Sequence, residues 1–286
     1  MKRKLGIAAL LVTMLCMIFT GCTEQIKNIN KAEIKYLTEN GEVTVKEVPN
    51  KTSFVTAEIP DEVNGSPVTK IADFAAVNLE SLEKITIGKN VKEIGTWAFE
   101  NNQKLKEFDV DEENPYFCDI DGVLFTKDKK TLLFYPPARN QKAITVKDDK
   151  GVESEVQSIE YTIPEGVETI RTKAFYKVSA LTKITLPKSL KKIEEKAFFR
   201  CSSLEEVTLP QGLTFIGKDA FGYCTAFKQI TIPSSIEQID EYAFFNCTNL
   251  INVTVEKQES QIKLGTKWYP TNNGKNIDDL KINWAK

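Results

Sequence analysis

Apolar and polar positions repeat along this chain with a fixed step. From Ile163 to Val255 the dipeptides Ile163-Pro164, Leu186-Pro187, Leu209-Pro210 and Ile232-Pro233 recur every 23 residues, and so do Ala174-Phe175, Ala197-Phe198, Ala220-Phe221 and Ala243-Phe244. Self-similarity at such a period marks a solenoid, in which each unit buries its apolar side by stacking on its neighbours. Alignment on phenylalanine places Phe74, Phe99, Phe175, Phe198, Phe221 and Phe244 in one column, six units in all. Nine positions after the anchor stand Phe108, Ile184, Val207, Ile230 and Val253, and eleven after stand Val110, Leu186, Leu209, Ile232 and Val255. Polar residues alternate with them, and period two predicts a strand with Ile184 and Leu186 inward and Lys183 and Thr185 outward. Proline closes the strand. Pairs at spacing three (Val167 with Ile170, Leu190 with Ile193, Leu213 with Ile216) then predict an opposite wall. The Ala-Phe pair predicts a short helical turn that returns the chain, with Phe filling the interior. The expected fold is an α/β repeat solenoid, β-rich overall, with about 23-residue units, each one short parallel strand and a short helical turn.

Outside the clearest units the pattern predicts the domain plan. Lys2, Arg3 and Lys4 precede an apolar run from Leu5 to Phe19 that ends in Thr20-Gly21-Cys22, which reads as an export signal over 1–21. A polar tether over 22–31 and an N-terminal cap over 32–68 lead into a solenoid over 69–255. Between Phe99 and Phe175 the period lapses for 76 residues, close to three units. Here 114–155 is expected to interrupt the solenoid with a β-hairpin, a variant coil or decoration, followed by an exposed loop from Lys147 to Glu155. Residues 256–286, with Trp268, Tyr269 and Trp284, suit a C-terminal cap.

Composition narrows the chemistry. The chain has no histidine, which removes Ser-His-Asp and Cys-His catalysis and every His-ligated metal site. Net charge is −2; loss of 1–21 would remove three basic residues and no acidic one, leaving 35 against 40 and a charge of −5. With both signs interspersed, no nucleic-acid-binding stripe is expected. No cofactor is expected either.

The repeat from Leu209 to Cys224, Leu-Pro-Gln-Gly-Leu-Thr-Phe-Ile-Gly-Lys-Asp-Ala-Phe-Gly-Tyr-Cys, resembles the BspA-type bacterial leucine-rich repeat. Phe19-Thr20-Gly21-Cys22 similarly resembles a lipobox, with Phe19 in place of the usual Leu. These resemblances imply a leucine-rich repeat lipoprotein, lipidated at Cys22, held at the bacterial cell surface and recognising a protein or glycan in adhesion. They imply no shared catalytic residues, and they leave the oligomeric state open.

Recognition is expected where the units differ and face outward, at Glu107, Asp109, Lys183, Thr185, Glu206, Thr208, Gln229, Thr231, Asn252 and Thr254. The threonines there also suit an exposed strand on structural grounds alone. Two rival readings are a passive spacer or assembly subunit, and a hydrolase or small-molecule binder at Asp119-Ile120-Asp121-Gly122. That last motif resembles the first motif of haloacid-dehalogenase-type phosphatases, but that chemistry needs the first Asp at the end of a buried parallel strand, whereas Asn114-Pro115 precedes closely and a charged turn follows where a helical flap or cap should begin. Cys201, Cys224 and Cys247 share one column with Val77, Asn102 and Val178, which predicts buried free thiols, with a disulfide between stacked coils as the alternative. Trp97, Tyr176, Phe199, Tyr223 and Phe245 are expected to pack along a wall.

Overall fold

In the computed structural model, residues 28–29, 33–51, 55–147, 150–273, 275–276 and 279–286 are described. The expected signal and Cys22 lie outside them.

Each coil has three sides. A front strand is followed by a two-residue back strand and then by a wall of turns carrying the Ala-Phe pair. The front strands Thr56–Ile59, Lys84–Ile87 and Glu107–Val110 pair in parallel, as do Gln229–Ile232, Asn252–Val255 and Lys281–Trp284. The back strands Thr169–Ile170, Lys192–Ile193, Phe215–Ile216, Gln238–Ile239 and Lys263–Leu264 form a second parallel ladder. Strict registry follows from the period. A shift by one residue would turn Ile184 or Ile230 to solvent and a Lys or Gln into the core. Asn28–Ile29 pairs in parallel with Thr56–Ile59 in the front ladder, and Glu42–Glu47 with Ser66–Ile71 in the back ladder, so the ladders begin inside the segments expected to be a tether and a cap.

The expected helical turn is absent. The Ala-Phe segments are successive turns, and the 3-10 helix Glu259–Gln261 lies near the C-terminus instead. The reason is a pair of left-handed residues on either side of the anchor: Lys173 and Lys177 (φ 62° and 58°), Lys196 and Arg200 (54° and 62°), Asp219 and Tyr223 (54° and 62°). Each such residue breaks a right-handed helix. Backbone donors then point along the solenoid: Phe175 N–H donates to Ala197 O at 2.8 Å, Phe198 N–H to Ala220 O at 2.8 Å, and Phe221 N–H to Ala243 O at 2.8 Å. Bonds between coils replace bonds within a helix.

Phe74 is not an anchor. It is 55% exposed and stacks on Trp97 at 5.6 Å, while Ala76 is fully buried and its N–H donates to Ala98 O. Ala76 lies 23 residues before Phe99, so the period is kept and the phenylalanine sits on the left-handed position two residues earlier. The cysteine column therefore contains Leu79 rather than Val77.

The interruption holds one coil and two inserted hairpins. Tyr135 N–H donates to Ala174 O at 2.8 Å, and its ring stacks on Phe175 at 5.0 Å, so Tyr135 is the missing anchor. The first insertion is the strand pair Phe117–Ile120 and Val123–Thr126, continued antiparallel by Thr131–Phe134. This sheet is no decoration. Val123, Phe125 and Leu132 pack into the C-terminal core, whereas Phe117, Leu124 and Leu133 pack into the N-terminal one. The second insertion pairs Lys142–Lys147 with the first half of Glu153–Thr162, so the stretch expected as a loop contributes a hairpin arm.

Candidate functional site: the front ladder and its cleft

From Glu107 to Asn252 most inward front positions are apolar and buried, Tyr161 and Leu186 being half-buried, which leaves the outward positions free to vary. At Glu107 and Asp109 the structure puts two carboxylates around one ammonium, with Lys84 Nζ at 3.1 Å and 2.9 Å. Lys84 is half-buried; the hydrogen bond to Asp109 is the first cause of its raised pKa, against the opposing effect of burial. Gln229 and Asn252 stand side by side in register, as do Thr231 and Thr254.

Lys183, Thr185, Glu206 and Thr208 line one cleft of about 930 Å³. It opens because the front ladder loosens there. Leu181–Thr185 meets the next coil through a single bridge, Lys183 to Glu206, and Glu205 N–H reaches Thr182 O only at 3.4 Å. Glu205 and Glu206 are adjacent like charges of low strand preference, where the preceding coil has Thr182 and Lys183. Leu186, expected to point inward, is only half-buried and lines the cleft with Ile184, Leu209 and Pro210. Its rim carries Lys188, Glu205 and Gln211, which sequence reasoning missed. The available signal was the break in strand preference at Glu205-Glu206.

The remaining candidates fall into structural roles. Asp119 accepts hydrogen bonds from Val110 N–H at 3.0 Å and Gly122 N–H at 3.2 Å, so its carboxylate latches the inserted hairpin to the front strand. Asp121 and Gly122 (φ 48° and 71°) form the two-residue turn between Ile120 and Val123, the geometry Asp-Gly favours in hairpins. Cys201, Cys224 and Cys247 are buried free thiols whose Sγ atoms donate to Phe175 O, Phe198 O and Phe221 O at 3.2, 3.2 and 3.0 Å. Burial pushes the Cys201 and Cys224 thiols well up. Asn102 fills the same column with a carboxamide that binds Leu79 N–H, Ala76 O and Phe99 O. The outer aromatics stack on one another, Tyr176 on Phe199 at 5.5 Å and 8°, with Tyr223 edge-on to Phe199 at 5.2 Å.

No cluster of three or more His, Cys, Asp or Glu suited to a metal ion occurs among the described residues, and no helix there is long and apolar enough to cross a membrane.

Comparison with known proteins agrees with this geometry. The family model of the BspA type leucine rich repeat region matches six copies over residues 46–127 and 153–268. No curated protein matches the chain. Among solved structures, the pneumococcal vaccine antigen PcpA is similar with a TM-score of 0.55 at 22% identity, covering 82% of this chain and 68% of its own. A leucine-rich repeat protein from Eubacterium ventriosum gives 0.53 at 19% identity, covering 81% and 86%. The matched family is a repeat scaffold, and none of these matches is to a catalytic family.

Proposed function

Since the chain belongs to the BspA type leucine-rich repeat family, we propose that it is an exported surface protein, anchored by lipid at Cys22, that recognises a protein or glycan in adhesion. Binding is through the outward positions of the front ladder, centred on the cleft between Leu181–Thr185 and the coil of Glu206. The observation that supports this reading is the cleft itself: an apolar floor of Leu186 and Pro210 beneath a rim of both charge signs, Lys183 and Lys188 against Glu205 and Glu206. Convergent polar groups around an apolar concavity suit recognition. Rigid stacking of the coils beneath keeps those groups in place before a partner arrives.

The test is a binding screen of the chain lacking residues 1–21 against extracellular-matrix proteins and glycans. It is repeated with Lys183, Glu206 and Gln229 all changed to alanine. A partner that binds the parent and is lost by the triple variant supports the reading; unchanged binding removes the front ladder from it.

A further inference from the structure

The turn wall carries a second, separate surface. A groove of about 410 Å³ runs along its outer corner, and no Asp or Glu lines it. Its charge comes from Lys177 and Arg200, on successive coils, and its hydroxyls from Ser179, Ser202 and Thr225. Asn101 and Gln103 add carboxamides at one end. The absence of acid there is unusual for this molecule, where Lys84, Lys130, Lys196 and Lys218 all face carboxylates. Among the described residues no carboxylate forms an ion pair with Lys177 or Arg200. Aromatic faces hold them instead: Lys177 Nζ lies 5.2 Å from the Tyr176 ring, and Arg200 lies 5.7 Å from Phe199 and 5.2 Å from Tyr223. Such contacts orient a cation without neutralising it.

The left-handed corner puts both cations there. Lys177, Arg200 and Tyr223 have φ of 58°, 62° and 62°, and their N–H groups donate across to Phe199 O, Gly222 O and Phe245 O. This wall therefore has no free strand edge at those residues for a peptide to extend. In the coil after that of Arg200, Gly222 stands in the place where Tyr176, Phe199 and Phe245 follow their anchors. A Cβ there would come within 2.9 Å of the Phe199 ring, and the next residue, Tyr223, presents its ring to Arg200.

We propose that this groove binds an acidic oligosaccharide, one bearing carboxylate or sulfate groups on hydroxylated rings. The two cations take the anionic substituents, Arg200 through paired N–H donors. The serine and threonine hydroxyls and the carboxamides of Asn101 and Gln103 exchange hydrogen bonds with ring hydroxyls. Coils step by about 4.8 Å, close to the length of one sugar ring along a linear chain, so charges on neighbouring rings meet cations on neighbouring coils. This site is independent of the front-ladder reading and stands or falls without it.

The experiment is calorimetric titration of the chain lacking residues 1–21 with a heparin-derived tetrasaccharide, a neutral maltotetraose, inorganic sulfate and an acidic heptapeptide. Binding of the charged tetrasaccharide alone, weakening as salt is added, is the expected result. Arg200→Gln should weaken it by about tenfold or more, and Lys228→Gln, outside the groove, should leave it unchanged. Ser202→Asp adds a carboxylate to the groove lining without removing either cation and should also abolish binding. No binding of the tetrasaccharide, equal binding by Arg200→Gln, or equal or tighter binding of the peptide or of sulfate alone would each overturn the proposal.

Discussion

The ammonium of Lys173 lies 2.8 Å from the centroid of the Trp97 ring, across the junction where the two halves of the solenoid meet. The same Nζ is 3.3 Å from Glu100 Oε1 and 4.4 Å from the Tyr176 ring, and Lys173 is only 4% exposed. Arg171 makes a second stitch, donating to Ile94 O at 3.0 Å. Both cations reach back from the C-terminal half to the coil that precedes the inserted hairpins. Trp97→Ala should therefore lower stability by about 2 kcal/mol, from lost ring packing and a lost desolvated cation–π contact. Lys173→Met should change it by less than about 1 kcal/mol, because removing a buried charge offsets the lost attraction. Urea unfolding of the two variants measures both, and a Lys173→Met loss as large as that of Trp97→Ala would show the ion pair to dominate the junction.

The anchor column makes a sharper contrast. Phe175 is fully buried between Tyr135 and Phe198, whereas Phe74 lies on the surface. Phe175→Ala should cost about 3–5 kcal/mol, and Phe74→Ala less than about 1 kcal/mol. Equal losses in thermal or denaturant melts would return Phe74 to the anchor column.

Thiol chemistry checks the cysteine column. A chain beginning after Cys22 carries four cysteines, of which Cys201, Cys224 and Cys247 are enclosed and Cys118 is half-buried. In denaturant, Ellman's reagent should titrate four thiols; in the native protein the three enclosed ones should not react, because burial disfavours the thiolate. A count of two or fewer in denaturant would mean that a disulfide joins adjacent coils.

Alkaline pH should destabilise the fold. Burial raises the Tyr36 and Tyr135 hydroxyls to about 12, and raises Tyr161 further. A phenol whose folded pKa lies above its unfolded value near 10 contributes stability that is intact below pH 10 and lost as pH rises toward the folded value. Lys173 works the other way: burial lowers its pKa, so its cost is relieved as pH rises toward 10.5. Burial raises the Tyr176 hydroxyl as well, so one lysine against four tyrosines leaves a net decline, which Tyr135→Phe should flatten in melts taken between pH 9 and pH 12. An unchanged slope in that variant would contradict the enclosed position of Tyr135.

The sequence made the inward columns legible because a solenoid core tolerates little but apolar residues at fixed spacing. Ile184, Val207 and Ile230 stand where alternation put them, as do Cys201, Cys224 and Cys247. The turn wall was harder to read. Lys173, Arg200 and Tyr223 share only a backbone angle, and lysine, arginine and tyrosine give no local sign of a left-handed conformation. Phe74 misled for the same reason, since its composition matched an anchor while its backbone matched a corner. Tyr135 escaped because two insertions stretch the steps from Phe99 to Tyr135 and from Tyr135 to Phe175 to 36 and 40 residues. The continuous apolar run Val123-Leu124-Phe125 was the readable sign that the first insertion is buried on both faces. The cleft at Lys183 and Glu206 was half-visible: the residues were named, but the loosened pairing that gathers them depends on contacts between coils.

The most direct test of recognition by the front ladder is a hydrogen-exchange footprint of the chain with a partner found in the binding screen other than an acidic oligosaccharide. Protection should concentrate on 181–186 and 205–212, with the turn wall from Phe198 to Cys201 unchanged. Protection confined to the turn wall, or to the hairpin arm Lys142–Lys147, would contradict the account.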